Sequence, residues 1–242
     1  MIIKNFELKK INLKDKNFFL LYGKNEGLIH ETIDKTLKPI LAKSIFNYEE
    51  SDILKNIENF KENLYSKSFF EKEKLIIINR VSDKFSKILE DIILKKIEEI
   101  SIILIAGQLE KKSKLRNFFE KEKKLICVPF YEDNIQTLNL LTQKFMREIG
   151  VNISTQLVNI IVERAKGDRI NLKNELQKIE SFSKNKKNIN IDDILKITNL
   201  SENYDISELV DNCLAKNKRK IIKILNENNF SSEDCILILR FF

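Results

Sequence analysis

The feature that constrains the fold most is a series of short, continuous apolar runs in the first half of the chain. Segments with apolar residues at helical spacing separate these runs. Strands that are apolar at every position are typical of sheets covered on both faces, and alternation with helices predicts parallel pairing with right-handed crossovers. Residues 1–132 are therefore predicted to form an α/β domain, with strands near 17–22, 44–48, 75–78, 102–105 and 125–128.

The strand pattern disappears after Pro129, and the rest of the sequence favours helices. Asp133 and Gln136 have the spacing of a capping box at the start of a helix, and Ser154 is in position to cap the next one. Residues 133–200 are predicted to form a small all-α domain. A further helical region is predicted over 201–242, and we expect these residues to be only the beginning of a third domain.

The composition excludes several classes of protein. The chain has 242 residues, 43 Lys plus Arg against 36 Asp plus Glu, and a net charge of +7. Arg supplies only 7 of the 43 cations, so the basic excess permits binding to nucleic acid without requiring it. One His, three Cys outside any CxxC spacing and no long apolar segment argue against His-based catalysis, a zinc site, a disulfide framework and a membrane anchor. We expect a cytoplasmic protein.

The first strand leads into a glycine-containing turn, which is where a phosphate-binding loop would lie. Such a loop needs the pattern G-x-x-x-x-G-K-[ST], in which Lys and a hydroxyl group contact phosphate and magnesium. Here Gly23, Lys24 and Gly27 form a degenerate version: the glycine spacing is one residue short, and Leu28 and Ile29 occupy the Lys and Ser/Thr positions.

The acidic residues that would position magnesium are also missing, because the strand at 75–78 runs into Asn79 and Arg80. We therefore expect no catalytic residues, no nucleotide or other cofactor and no metal ion. An ordinary α/β turn unrelated to nucleotide-binding proteins is an equally good interpretation of these residues alone.

Several short segments together resemble the delta subunit of the bacterial DNA polymerase III clamp loader. They share little beyond apolar residues with one or two polar positions, but their order and spacing match along essentially the whole chain. The segments are Phe19-Leu-Leu-Tyr-Gly23, Ser68-Phe-Phe-Glu-Lys-Glu-Lys-Leu-Ile-Ile-Ile78, Leu104-Ile-Ala-Gly107, Lys112-Ser-Lys-Leu-Arg116, Gly167-Asp168, Asn174-Glu-Leu-Gln-Lys178 and Tyr204-Asp-Ile-Ser-Glu-Leu-Val-Asp211.

The resemblance implies a parallel-sheet AAA+/RecA-like domain, an all-α lid domain and a helical collar domain, with no ATPase activity of its own. It also implies a role within the DNA polymerase complex, where delta subunits bind the ring-shaped sliding clamp and help to open it. The implied partners are the clamp, the other loader subunits (ATPase gamma/tau-type and delta-prime-type) and DNA in the assembled loader.

The residues that match the family's clamp contact are Phe69 and Phe70, with Ser68 before them and Tyr65 nearby. Two adjacent residues of a regular helix or strand cannot both point into one core, so at least one Phe is expected to be exposed or in a turn. An exposed Phe pair bordered by charges is typical of an interface anchor. The alternative is that both rings belong to the core.

One departure from the family pattern, one basic segment and two other functions remain open. Arg169 directly follows the Gly167-Asp168 pair, whereas Ile170 and Asn171 stand where related lids often carry a nucleotide-sensing Arg. The lysine-rich segment 111–124 could face DNA, although its interspersed Glu residues favour a solvated helix face. The chain could instead be a stand-alone basic nucleic-acid-binding protein on a degenerate phosphate-loop fold, or an ATPase with a variant loop.

Overall fold

The first compact unit contains the sheet and comprises residues 1–137 together with 167–170. The computed structural model describes residues 2–13, 16–41, 44–65, 74–95, 100–184, 193–194, 197, 206–227 and 238–240. Its strands are β1 (Phe18–Gly23), β2 (Ser44–Glu49), β3 (Lys74–Asn79), β4 (Ile100–Ala106) and β5 (Ile126–Phe130). Its helices are α1 (Glu26–Thr32), a π-helical turn (Ile33–Leu37), α2 (Lys38–Leu41), α3 (Glu50–Lys55), α4 (Ile57–Tyr65), α5 (Ser86–Leu94) and α6 (Lys114–Lys121).

The strands form a five-stranded sheet in the order β2-β3-β4-β1-β5, and all its pairings are parallel. The predicted parallel α/β fold is therefore confirmed. The apolar runs are explained by burial on both faces, because Leu20 and Ile102 lie in one core cluster whereas Phe19 and Ile103 lie in the other. The loops that follow the strands consequently meet at one edge of the sheet, next to the turn between β1 and α1.

The second compact unit comprises residues 138–166 and 171–242 and is helical where it is described. Helices α7 (Ile135–Glu148), α8 (Thr155–Arg164) and α9 (Arg169–Ser183) supply most of its core, with buried residues such as Leu138, Ile161 and Ile179. Helices α10 (Ile206–Leu214) and α11 (Lys218–Glu227) pack through Leu209 and Ile224. The division into three domains at 132/133 and 200/201 remains a prediction.

Two local expectations from the sequence are wrong, for physical reasons. Apolar residues at helical spacing from Ile53 to Leu64 predict one helix through about Tyr65 that Ser51 caps, but the chain forms α3, which follows Glu49, and α4, with a break at Asn56. Asn56 starts the second helix, because its side chain accepts a 3.1 Å hydrogen bond from the Asn59 amide. Pro129 was expected to end the last strand, but β5 continues to Phe130. The proline is tolerated because β5 is an edge strand, so the missing N–H need not pair with a neighbour.

Candidate functional site

The turn between β1 and α1 holds the degenerate phosphate loop, and close packing explains its first glycine. Gly23 has φ of 138°, and a Cβ atom there would lie 2.0 Å from the carbonyl oxygen of Phe130 on β5. The Gly23 amide donates a hydrogen bond of 3.1 Å to the carbonyl oxygen of Gly107, at the end of β4. Glycine is therefore required at this position by the neighbouring strands, whether or not a ligand binds.

The start of α1 is stabilised by an Asn side chain. Asn25 is nearly buried, and its Oδ1 accepts a 3.0 Å hydrogen bond from the Leu28 amide. Its Nδ2 donates at 2.9 Å to the carbonyl oxygen of Tyr131 and to Oδ2 of Asp133. Ile29, which stands where a phosphate loop carries Ser or Thr, is fully buried in the core. Lys24 is exposed and lies 3.4 Å from Glu132.

A group of charged side chains lies beside this turn, and we call Asn25, Glu31, Asp133 and Arg169 the Arg169 cluster. Arg169 donates from Nε and Nη2 to the two carboxylate oxygens of Asp133, at 2.7 and 3.0 Å. Its Nη1 donates to Glu31 at 2.7 Å. The side chains of Arg169 and Asp133 are only 11% and 7% exposed, so this two-pronged pair is largely shielded from water.

The Arg169 cluster is close to electrically neutral once Lys35 is included. Lys35 lies 2.8 Å from Glu31, so two carboxylates face two cations. Partial burial of Glu31 opposes ionisation, but the hydrogen bonds and positive charges of Lys35 and Arg169 outweigh it and lower its pKa below the ordinary value of 4.5. The charges in this cluster therefore compensate one another.

Gly27, the second glycine of the degenerate loop, faces the same cluster. A Cβ atom at this position would lie 3.0 Å from Cβ of Arg169 and 3.1 Å from Cγ1 of Ile170. The first turn of α1 is thus covered on this side by side chains of residues 169–170, which group with the first unit. The glycine permits that close approach.

The loops after β3 and β4 are joined by hydrogen bonds between side chains and helix ends. Asp83 accepts from Oγ of Ser113 at 2.6 Å and from the amide of Leu115 at 3.0 Å. Burial opposes ionisation of Asp83, but these bonds to the start of α6 lower its pKa below 3.8. Glu50 accepts hydrogen bonds from the amide and the hydroxyl of Ser82. Asp83 therefore stabilises the start of α6, and Glu50 stabilises the loop that follows β3.

A small cleft of about 270 Å³ opens at the ends of β1 and β5. The guanidinium group of Arg116 lies 5.3 Å from the ring centre of Tyr22 and is held by Glu120 at 2.6 Å and by the carbonyl oxygen of Leu109 at 3.1 Å. Burial raises the pKa of Tyr22 to about 12, so its hydroxyl remains protonated at neutral pH. The remaining lining comes mainly from Gly23, Lys24, Gln108 and residues 129–132.

The predicted clamp-contact residues fall mostly outside the part of the chain that the structure describes. Ser68, Phe69 and Phe70 lie in the segment 66–73, of which nothing is described. Tyr65, at the end of α4, is half-buried, and Nζ of Lys95 lies 4.0 Å from the centre of its ring. The Tyr65 hydroxyl is buried and makes no hydrogen bond within the described residues.

The lysine-rich segment 111–124 contains α6, which buries Leu115 and Phe119 against the sheet. Glu110 pairs with Lys112 at 2.9 Å, and Glu120 pairs with Arg116 at 2.6 Å. The interspersed Glu residues therefore compensate part of the positive charge, as expected for a solvated helix face.

The described ranges contain neither a cluster of metal-ligating side chains nor a membrane-spanning helix. Within them, three or more His, Cys, Asp or Glu side chains nowhere come together in a way that could hold a metal ion. Likewise, none of the helices described above is both long enough and apolar enough to span a membrane.

The strand order and the helices on both sheet faces define an AAA+/RecA-like α/β fold, which solved structures share. The Bacillus subtilis DNA clamp loader delta protein aligns with a TM-score of 0.54 and 19% identity, covering 96% of this chain and 74% of that one. The T158V variant of Thermotoga maritima RuvB aligns with a TM-score of 0.53 and 14% identity, covering 84% of this chain and 70% of that one. At such identities the likeness shows the fold alone.

The sequence comparisons identify the family that the chain resembles. Residues 19–129 match the family model described as DNA polymerase III, delta subunit. The probable DNA polymerase III subunit delta of Rickettsia prowazekii (strain Madrid E) is 22% identical over 179 residues, or 74% of this chain and 54% of that relative. The resemblance to the clamp-loader delta subunit is thereby confirmed, and the chain spans about half the length of the curated relative it matches.

The Arg169 cluster is the part of this region that the sequence did not predict. Asp133 was expected to cap α7, but Asn134 does so by accepting from the amide of Thr137 at 2.7 Å. Asp133 instead pairs with Arg169, 36 positions away. The Gly167-Asp168-Arg169 motif was visible in the sequence, but its partners could be found only once the chain was folded.

Proposed function

We propose that this chain is a non-catalytic clamp-loader subunit of the bacterial replicative DNA polymerase III. In this proposal it binds the sliding clamp in the cytoplasm and helps to open the ring for loading onto primed DNA. Its other partners are ATPase subunits of gamma/tau type and a subunit of delta-prime type. The observation that carries the proposal is the family match over 19–129, which extends from β1 through β5 and includes the connection between α4 and β3.

The proposed clamp contact consists of Phe69 and Phe70, together with Ser68 and Tyr65. Burial of a Phe ring in a clamp pocket contributes about 2–3 kcal/mol. A ligand shifts a conformational equilibrium only by its difference in affinity for the two states. Two Phe rings would therefore favour the open ring if their pocket is best formed when the ring is open.

The Arg169 cluster supports the non-catalytic part of the proposal. A phosphate group beside α1 would have to compete with Asp133 and Glu31 for Arg169, and it would be repelled by both carboxylates. Leu28 and Ile29 provide neither the ammonium nor the hydroxyl group that phosphoryl transfer requires. Isothermal titration with ATP and magnesium is accordingly expected to give no binding heat.

The decisive experiment measures the affinity of the purified chain for its cognate sliding clamp, immobilised on a biosensor. Phe69→Ala combined with Phe70→Ala is expected to weaken binding by about 100-fold or more, because each lost ring removes more than a tenfold factor. The matched control is Ile2→Ala with Phe6→Ala, which removes two apolar side chains that are 52% and 60% exposed at the N-terminal end. The control is expected to bind like the wild type.

Three results would contradict the proposal. The wild-type chain could fail to bind the clamp, the Phe69/Phe70 variant could bind normally, or both double variants could lose affinity equally. A separate measurement addresses the nucleic-acid alternative: tight binding to duplex DNA by the isolated chain, with a steep salt dependence and no clamp binding, would favour a stand-alone DNA-binding protein. Circular dichroism of each variant establishes that it is folded.

A further inference from the structure

The cleft beyond β1 and β5 lies where open α/β sheets commonly bind ligands. Helix α1, which follows β1, buries Ile29 in one core cluster, whereas α6, which follows β4, buries Leu115 in the other. Because β1 and β4 are neighbours, the chain leaves their carboxyl ends toward opposite faces of the sheet. A crevice at such a point is the usual ligand site of these sheets. The cleft is lined from both strand ends, by Gly23 and Gln108 among others, and no member of the Arg169 cluster lines it.

Arg116 is held in one orientation at this cleft. Its side chain is only 19% exposed, and its Nε donates to Glu120 at 2.6 Å. Its Nη1 donates to the carbonyl oxygen of Leu109 at 3.1 Å, and the guanidinium group lies 5.3 Å from the ring centre of Tyr22. A side chain that is already fixed in this way loses little further freedom when it binds a partner.

Arg116 and Tyr22 retain donors for a further group. The bonds to Glu120 and Leu109 use Nε and Nη1, and Nη2 has no hydrogen-bond partner among the described residues. Tyr22 adds a hydroxyl that stays protonated at neutral pH, since burial raises its pKa to about 12. Because both residues line the cleft, these donors are available to a ligand that carries an acceptor.

The size and charge of the cleft restrict that ligand. Its volume of about 270 Å³ lies below the range of about 300–1,000 Å³ that is typical of pockets for whole small molecules, so it fits one side chain better than a nucleotide. Guanidinium groups form their strongest hydrogen bonds with anionic acceptors such as carboxylates. Glu120 and Glu132 accompany Arg116 and Lys24, and they disfavour the repeated charges of a nucleic-acid backbone more than one carboxylate.

The rim of the cleft has the character of a protein interface. Tyr131 lines it and is 79% exposed, and Tyr is enriched at protein–protein interfaces. We propose that the cleft is a docking site for an Asp or Glu side chain of a partner protein, which Arg116 and Tyr22 bind, with the exposed Lys24 nearby. This proposal goes beyond the clamp-loader function and does not depend on the proposed clamp contact.

The test follows the amide chemical shifts of the isotopically labelled full chain during titration with two short peptides. The peptides are acetyl-Ala-Ala-Glu-Ala-Ala-amide and its Gln counterpart, which has the same shape without the charge. The Glu peptide is expected to shift the signals of Gln108 and Tyr131 saturably and to bind at least about tenfold more tightly than the Gln peptide. Arg116→Met is expected to abolish this preference. The matched control is Arg80→Met, which removes an equal charge from an 89% exposed side chain and is expected to keep it.

A second variant covers the case in which Arg116→Met does not fold. Tyr22→Phe removes only the hydroxyl group, and it is expected to weaken binding of the Glu peptide by about threefold. Equal affinity for the two peptides, an unchanged preference in folded Arg116→Met, or shifts that do not saturate would overturn the proposal.

Two further titrations distinguish the source of the acceptor. Sodium acetate that binds at Gln108 and Tyr131 as tightly as the Glu peptide would assign the cleft to a small carboxylic acid, and tighter binding of oligothymidylate there would assign it to nucleic acid. Either result overturns docking of a protein side chain. Because none of these titrations contains the clamp, their failure leaves the proposed function intact.

Discussion

Two regions of the first unit lie at opposite ends of the parallel strands and use charge in different ways. At the carboxyl end of β1, the Arg169 cluster pairs nearly every charge with an opposite one over distances of 2.7–3.0 Å. At the amino end of β3, Lys74 and Lys95 contact a carbonyl oxygen and aromatic rings. The first arrangement satisfies its charges internally, whereas the second fixes a helix end next to an adjoining connection.

The difference bears on which kind of site each end of the strands can form. Ligands of open α/β sheets bind beyond the carboxyl ends of the strands, where helix starts and loops converge. In this chain Arg169 and Ile170 cover that side of α1 at Gly27. The proposed clamp-contact residues follow α4 and precede β3 in the sequence, and their apolar side chains do not depend on phosphate chemistry. Three substitutions test the region at the carboxyl ends of the strands, and they follow in order of decreasing expected effect.

Gly23→Ala is expected to have the largest effect. Its Cβ atom would lie 2.0 Å from a backbone oxygen of Phe130, and φ of 138° is unfavourable for any residue with a side chain. Because neither strand can move without breaking the sheet, we expect a loss of about 4 kcal/mol or more in the free energy of unfolding. Urea denaturation followed by circular dichroism measures it.

The control for that prediction is Gly107→Ala. An added Cβ atom at Gly107 would meet no atom within 4 Å, so this change is expected to alter stability by less than about 0.5 kcal/mol. Equal effects of the two substitutions would show that Gly23 is not held by its contact with β5. The glycine would then need another explanation, such as a ligand.

The sequence was sufficient to predict the parallel sheet, but it was not sufficient to predict the contacts at the ends of the strands. Runs such as Leu75–Ile78 predict buried parallel strands because the period of the pattern is local. The ion pair between Asp133 and Arg169 depends on where two distant segments meet, and no local pattern encodes that. Lys74 could be located at the start of a strand, but its burial could not be foreseen, since the helix end that compensates its charge is defined only in the fold.

Arg169→Met is expected to have the next largest effect, because it leaves Asp133 without its two-pronged partner and leaves Glu31 with Lys35 alone. Removal of one member of a largely buried ion pair costs about 3 kcal/mol, which corresponds to a fall of about 6–12 °C in Tm. The matched control is Arg80→Met, where the side chain is 89% exposed and lies 3.9 Å from Glu49, and its expected cost is below about 0.5 kcal/mol.

Arg169→Met and Arg80→Met also test whether the two ends of the strands act independently. At a temperature where both are folded, Arg169→Met is expected to bind the clamp within about twofold of the wild type, since the proposed contact residues precede β3 in the chain, whereas the Arg169 cluster lies at the carboxyl end of β1. A large loss of clamp affinity in folded Arg169→Met would show that the Arg169 cluster and the proposed clamp contact are coupled. A Tm equal to that of Arg80→Met would show that the Arg169 cluster contributes little to stability.

The smallest expected effect is on the pH dependence of stability. Lys35 and Arg169 lower the pKa of Glu31 below 4.5 in the folded chain, despite partial burial. The folded state therefore binds a proton at Glu31 less readily than the unfolded state, so this contribution to stability is present above pH 4.5 and is lost as the pH falls through the lowered pKa. Glu31→Gln is accordingly expected to show a smaller fall in its urea midpoint between neutral and acidic pH than the wild type.

The matched control is Glu148→Gln, which removes an exposed carboxylate 3.9 Å from Lys144 and changes the net charge equally. Its urea midpoint is expected to change with pH as steeply as that of the wild type. Parallel slopes for all three proteins would mean that Lys35 and Arg169 do not lower the pKa of Glu31.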